Sequence, residues 1–202
     1  KHCKFAFVTN ESYKKIAIER GGMNPEDVFV LRSGPKLERL KIQEPKNEIK
    51  RGKKFMVGYL GVIGQQEGIE YLLKAAKYIK ELPGRNDVFW GIVGGGPDVE
   101  HMKKLSHDMG LDDIVEFTGR VPDQTLLDYL NTADVCVNSD EYNAMNDKST
   151  MNKVLEYMAL GKPLVQFDLT EGRYSAQEAS LYAKRNDAED MAKKILELLD
   201  NP

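Results

Sequence analysis

The chain has 202 residues, of which 41% are hydrophobic and 30% charged, and a formal net charge of −3. That suits one α/β domain of ordinary size with a small appendage, apolar enough to build a core and charged enough to stay soluble. Acidic and basic residues are interspersed, which excludes the basic stripe a nucleic-acid partner would want, and no run approaches the ~20 apolar residues of a membrane span.

Lys1–Lys4 lead straight into a short strand with no secretory leader, so the chain reads as starting in the middle of something longer. Phe5–Thr9 is a strand and Ser12–Arg20 a helix. Gly21-Gly22 ends that helix and Pro25 blocks its continuation. Val28–Leu31 is a second short strand. Ser33-Gly34-Pro35 breaks the pattern, and residues 36–53 are charged and aperiodic, as in a linker. A stronger alternation begins at Phe55. Phe55–Leu60 is a strand that enters a glycine-rich turn, and Ile69, Leu72, Leu73, Ala76 and Ile79 recur at helical spacing. Val88–Val93 ends in Gly94-Gly95-Gly96-Pro97, and the next helical stripe is Val99, Met102, Leu105 and Met109. Val115–Thr118 is a strand, and Leu126, Leu127 and Leu130 mark a helix. Val135–Asn138 is a strand followed by a polar loop. The helix Thr150–Leu160 stops at Gly161, with Pro163 beyond. Leu164–Phe167 is a strand, residues 168–175 a loop, and Met191, Ile195 and Leu198 lie on the last helix.

Strands alternating with helices predict a Rossmann-like parallel sheet with helices on both faces. Ligands of such sheets sit outside the carboxyl ends of the strands. That edge should carry residues 61–67, 94–97, 119–123, 139–150 and 168–175. Cys3 and Cys136 form no CxxC pair, and His2, His101 and His107 form no cluster. No metal is expected, therefore, and a reducing cytosol is the natural compartment. Cys136, inside the run Ala133–Val137, reads as a buried core thiol.

On the helix Thr150–Leu160, Ser149, Asn152, Lys153 and Glu156 share one side, opposite Met151, Val154, Leu155 and Met158. Asp147, Ser149 or Thr150 is suited to cap its start. The free amides of a helix start attract phosphate, and a glutamate further along can take a ribose diol. An ordinary amphipathic helix with a surface glutamate would look the same. Gly58, Gly61 and Gly64 recur every third residue. This turn either brings amides close to a diphosphate or is simply a tight strand-to-helix connection, and the turn at Gly95 is open to the same two readings. It is neither GxGxxG nor a P-loop. Arg173, with Asp168 and Glu171, follows a strand and matches phosphate geometry, or it belongs to a solvated charged loop.

Four segments, in order, carry a resemblance: VGYLGVIGQQEGIEYLLKAA, WGIVGGGPDVEHM, VEFTGRVPDQTLLDYLNTADVCVNS and NDKSTMNKVLEYMALGKPLVQFD. From Met56 onward the chain resembles the C-terminal lobe of glycosyltransferase family 4, which has the GT-B fold, and especially a bacterial subgroup that makes cell-surface polysaccharides. The resemblance divides the chain into a remnant of the N-terminal acceptor lobe (1–35), a linker (36–53) and a nucleotide-sugar-binding domain (54–202).

The resemblance also implies roles. Glu156 aligns with the second signature glutamate, which holds the donor ribose. Ser149, Thr150 and Met151 lie where backbone amides meet the diphosphate, Val121 where backbone reads the nucleobase, and Gly61–Gly64 where the loop faces the leaving diphosphate. The first signature glutamate falls on Lys148, and the family's Arg and Lys near the first strand give way to Tyr59 and Glu67. Gln177 and Glu178 also depart from the subgroup. The diphosphate charge then falls to amides, or to Lys148, Lys153 or Arg173. Lys148 and Arg173 are the residues expected to supply positive charge at the cleft mouth during catalysis.

The implied activity is retaining, metal-independent transfer from a nucleotide sugar. The acceptor, and any contact with the inner face of a membrane, would come through the missing lobe of a cytoplasmic enzyme. A non-catalytic nucleotide-sugar-binding module and a GT-B-fold nucleotide-sugar epimerase are the alternatives.

Overall fold

The structure is a computed structural model that describes residues 3–201; Lys1, His2 and Pro202, at the ends of the segments 1–35 and 54–202, lie outside it. Eight strands and seven α-helices form two sheets among those residues. The main sheet holds β3 (Phe55–Leu60), β4 (Val88–Val93), β5 (Val115–Gly119), β6 (Val135–Asn138), β7 (Leu164–Phe167) and β8 (Ser180–Ala183). Their spatial order is β5-β4-β3-β6-β7-β8, and every pairing is parallel. Every residue of β4, β6 and β7 is buried, which explains why these strands read as continuous apolar runs rather than as alternating ones.

The helices α2 (Ile69–Glu81), α3 (Val99–Asp108) and α7 (Ala188–Asp200) share one core with the sheet, built on Leu72, Leu73, Ile79, Trp90, Met191 and Ile195. A second core gathers Leu127 and Leu130 of α4 (Asp123–Thr132), Val154 and Tyr157 of α5 (Asn152–Ala159) and Ala176 of α6 (Thr170–Ala176). Gly91 lets α4 lie close, because a Cβ there would meet the Tyr129 ring at 2.9 Å. The chain order reverses direction between β3 and β6. This is the switch point at which a doubly wound sheet opens a crevice beyond its strand ends.

The first segment forms a separate parallel pair, β1 (Ala6–Val8) and β2 (Val28–Val30), with α1 (Glu11–Glu19) between them. No residue of α1 is fully buried, and Phe5, Phe7, Phe29 and Leu31 are exposed. Phe7 stacks on Phe29 at 5.6 Å. Residues 36–53 contain turns and the short 3-10 helix Asn47–Lys50, and Leu40 packs against the second core. No helix among the described residues is long and apolar enough to cross a membrane.

Three sequence expectations need correction. Residues 168–175 are mostly the helix α6 rather than a loop, and β8 adds a sixth strand. The helix α5 starts at Asn152, not Thr150, and no side chain caps it. Asp147 is drawn away by Thr170, whose N–H and hydroxyl both donate to its carboxylate (2.9 and 3.0 Å). The core side of α5 is centred on Val154 and Tyr157.

Cys136 is fully buried, and burial pushes its thiol pKa up to about 12, whereas Cys3 is exposed. At pH 8 a thiol reagent should therefore modify one cysteine quickly and the second only after unfolding, because the thiolate is the reactive form. Equal reaction rates in the native protein would contradict this core.

Candidate functional site

The carboxyl ends of β3, β4, β5 and β6 bring the glycine turns, Val121 and the start of α5 to one edge. The turn after β3 is fastened to the turn after β4. Gly61 N–H donates to Val93 (3.0 Å), Ile63 N–H to the Gly95 carbonyl (3.1 Å) and Asp98 N–H to the Ile63 carbonyl (3.1 Å). Among the described residues the Val62 and Gly64 amides have no protein acceptor. The flanking groove, about 500 Å³, is lined by both residues together with Glu67, Glu141 and Asn143.

At the start of α5 the amides of Thr150, Met151, Asn152 and Lys153 likewise have no protein acceptor, whereas the Ser149 amide donates to the Asn146 carbonyl at 3.1 Å. Ser149 therefore cannot offer the N–H expected of it without a rearrangement, but Thr150 and Met151 can. Such a row of free N–H groups on a helix start favours an anion. The hydroxyls of Ser149 and Thr150 are engaged by the first segment. Tyr13 Oη lies 2.8 Å from Ser149 Oγ, and Asn10 Nδ2 donates to Thr150 Oγ1 (3.1 Å) and to the Lys148 carbonyl (2.9 Å). Asn10 is fully buried and also caps α1 through Tyr13 N–H.

Glu156 lies one turn along α5. Its half-buried carboxylate has no hydrogen-bond partner, and loss of water holds its pKa above the usual carboxylate range, with Arg39 pulling the other way. Arg39 comes from the linker and is paired with Asp123 at the start of α4. Just before that helix, Val121 has both backbone N–H and C=O without a protein partner. Arg39 thus links Glu156 to the start of α4, just after Val121, and the residues before Val121 touch the Gly94–Gly95 turn, where Gly94 bridges Gly119. Sequence reasoning missed Arg39, because nothing in an aperiodic charged run marks which residue touches the domain.

The two expected cations make separate contacts. Lys148 Nζ donates weakly to the Ala144 carbonyl at 3.4 Å. Arg173 is paired with Asp168 (2.7 Å) and stacks on Tyr182 of the edge strand β8, 4.0 Å from its centroid. The Asp168 bond keeps Arg173 charged and lowers the Asp168 pKa. Lys153, by contrast, is almost buried and sits at the switch point with Asp140 and Tyr59.

Comparison with known proteins agrees with this architecture. Residues 54–201 match the family model described as glycosyl transferases group 1. An uncharacterized glycosyltransferase of Haemophilus influenzae is 27% identical over 162 residues, 78% of this chain and 43% of the relative. An uncharacterized glycosyltransferase of Methanocaldococcus jannaschii is 32% identical over 110 residues, 54% of this chain and 26% of the relative. The chain thus spans less than half the length of these curated relatives. Among solved structures, Anabaena Alr3699/HepE in complex with UDP and glucose superposes with a TM-score of 0.81 at 16% identity, over 98% of this chain and 54% of that one. S. aureus TarM superposes with a TM-score of 0.75 at 20% identity, over 98% and 37%. At these identities the superpositions speak for the fold, which is the Rossmann-like lobe of GT-B glycosyltransferases. The match over residues 54–201, with the sheet order that carries it, places the chain in the glycosyl transferases group 1 family.

Proposed function

We propose that this chain is the donor-binding lobe of a retaining glycosyltransferase that moves a sugar from a nucleotide sugar to an acceptor in cell-surface polysaccharide or glycolipid synthesis. The observation that carries the reading is α5 itself, where free amides at Thr150–Lys153 stand one turn before an unpartnered, half-buried Glu156 carboxylate. From Asn152 to Glu156 the helix rises about 6 Å, which suits a diphosphate at its start and a ribose diol on the carboxylate. Val121 would read the base through its backbone. The complex of HepE with UDP and glucose makes a uridine nucleotide the first ligand to try.

In this reading the free amides, with Lys148 beside them, stabilise the diphosphate as it leaves, a form of catalysis that needs no protein nucleophile and no metal. Gly61, Gly64 and Gly95 shape the turn that faces it. Arg173 contributes only if it releases Asp168. The acceptor is held by the remainder of a longer protein, of which the pair β1–β2 with α1 is the last piece; the exposed Phe5, Phe7, Phe29 and Leu31 are where the rest of that lobe packs. Such an enzyme works on the cytoplasmic side, and any membrane contact is made through that other lobe.

Lys148 at the position of the family's first signature glutamate favours a second reading, a lobe that binds nucleotide sugars without transferring them. Thermal shift of the chain with UDP and UDP-sugars, followed by donor turnover with acceptor in the longer protein, tests both. The isolated chain should be stabilised by the nucleotide and transfer nothing. Binding without transfer by the longer protein supports the second reading, an epimerised donor without acceptor points to a nucleotide-sugar epimerase, and no stabilisation by any nucleotide overturns all three.

A further inference from the structure

Beneath the glycine turn lies a buried chain of polar groups. Lys153, in the first turn of α5, donates through Nζ to Asp140 Oδ1 (2.9 Å) and to the Tyr59 hydroxyl (3.2 Å). That hydroxyl in turn donates to the Val62 carbonyl at 2.9 Å. The three side chains come from the ends of β3 and β6 and the start of α5, which are the three elements that wall the switch point. Tyr59 is fully buried, Asp140 is 2% exposed, and the Lys153 side chain is 11% exposed. A buried ion pair rarely increases stability over an apolar replacement of the same shape, because removing both charges from water is costly; fixing one geometry is its better-attested use.

We propose that Lys153 is a positioning residue for the diphosphate end of the donor. Through Tyr59 it locks the Gly61–Gly64 turn to the start of α5, so that the free amides of Val62 and Gly64 face the same crevice as those of Thr150–Lys153. The proposal rests on the donor-lobe reading for its ligand, but not for its mechanics. Three observations support it. The relay ends on Val62, between the two free amides. The opposite side of the turn is already clamped by Gly95 and Asp98, so Tyr59 supplies the remaining restraint. Asp140 neutralises the ammonium group at contact distance, so Lys153 acts by holding geometry rather than as a free countercharge.

Lys153→Met alone leaves the Asp140 carboxylate buried without its partner and risks the fold. The informative proteins are therefore Tyr59→Phe, which loses only the hydroxyl, and the double variant Lys153→Met/Asp140→Asn, which removes both charges together. Hydrogen exchange in the ligand-free chain should speed up at residues 61–65 in both variants and stay unchanged in the core strands. Affinity for UDP should fall about tenfold while affinity for uridine holds, a loss of one oriented hydrogen-bonding element. Lys153→Arg with Asp140 intact should recover part of the discrimination between the two. Unchanged exchange at 61–65 overturns the brace. Faster exchange with an unchanged ratio of UDP to uridine affinity overturns the positioning role. Wild-type protein that binds neither ligand, with exchange still accelerated in the variants, overturns the donor reading instead.

Discussion

Glu156→Ala should weaken UDP binding by about one to two orders of magnitude, the loss of a charge-assisted hydrogen bond to the ribose diol. The carboxylate is free to make that bond because no protein group takes it, and circular dichroism should be unchanged, since the core residues of α5 are Val154 and Tyr157. A 2′,3′-dideoxy nucleotide supplies the control. Wild type should lose affinity for it, and Glu156→Ala should hardly discriminate. Stability should move the opposite way. Burial raises the Glu156 pKa, so the ionised form costs folding free energy. Below the carboxyl's unfolded pKa the group is protonated in both states and the cost is absent. It develops as pH rises through the window between the unfolded and the raised folded pKa, and it is complete above that window. Glu156→Gln should accordingly raise Tm at neutral pH and lose that gain in acid, while still binding UDP poorly. Lower stability of the glutamine variant at neutral pH would mean that the carboxylate has a structural partner and is not held ready for a ligand.

The largest loss of stability should come from Gly94→Ala. Gly94 has φ of +138°, where a side chain is strained, and a Cβ there would overlap the Gly61 carbonyl oxygen. Neither backbone can retreat easily, because Gly94 N–H is bonded to Gly119 (3.1 Å) and Gly61 N–H to Val93 (3.0 Å). Strain and overpacking together should cost about 3 kcal/mol or more, read as a lower urea midpoint. Gly34→Ala is the comparison, since a Cβ there meets nothing within 4 Å, and it should change stability by less than about 0.5 kcal/mol. Equal midpoints for the two variants would show that the paired turns are not packed as described.

The parallel sheet was legible because its strands are buried on both faces, and Phe55–Leu60, Val88–Val93, Val135–Asn138 and Leu164–Phe167 keep the bounds their apolar runs suggest. β8 escaped because it is a four-residue edge strand whose apolar run is only residues 181–183, with Leu181 and Tyr182 part-buried. The helix α6 escaped because it buries a glutamate. Glu171 Oε1 accepts from Ser12 N–H (3.2 Å) and Ser12 Oγ (2.6 Å), and Oε2 from Arg32 (3.5 Å), partners about 140 to 160 residues away that no local pattern can reveal. The start of α5 was misplaced for the same reason, since the Thr150 hydroxyl is claimed by Asn10 and not by the helix. In the site, type and spacing left Glu156 and the glycine turns open to an ordinary structural reading, and only the family resemblance gave them roles. Lys153 stood among the candidate countercharges for the diphosphate, and only the fold brings Asp140 and Tyr59 against it.

The claim that α5 carries the donor is tested most directly by a crystal structure of this chain with UDP. The account predicts the ribose hydroxyls within hydrogen-bond distance of the Glu156 carboxylate, the diphosphate on the amides of Thr150–Lys153, and the base against the backbone of Val121. UDP seated elsewhere, for instance in the groove between Asp98, His101 and Tyr71, with Glu156 untouched, would contradict it.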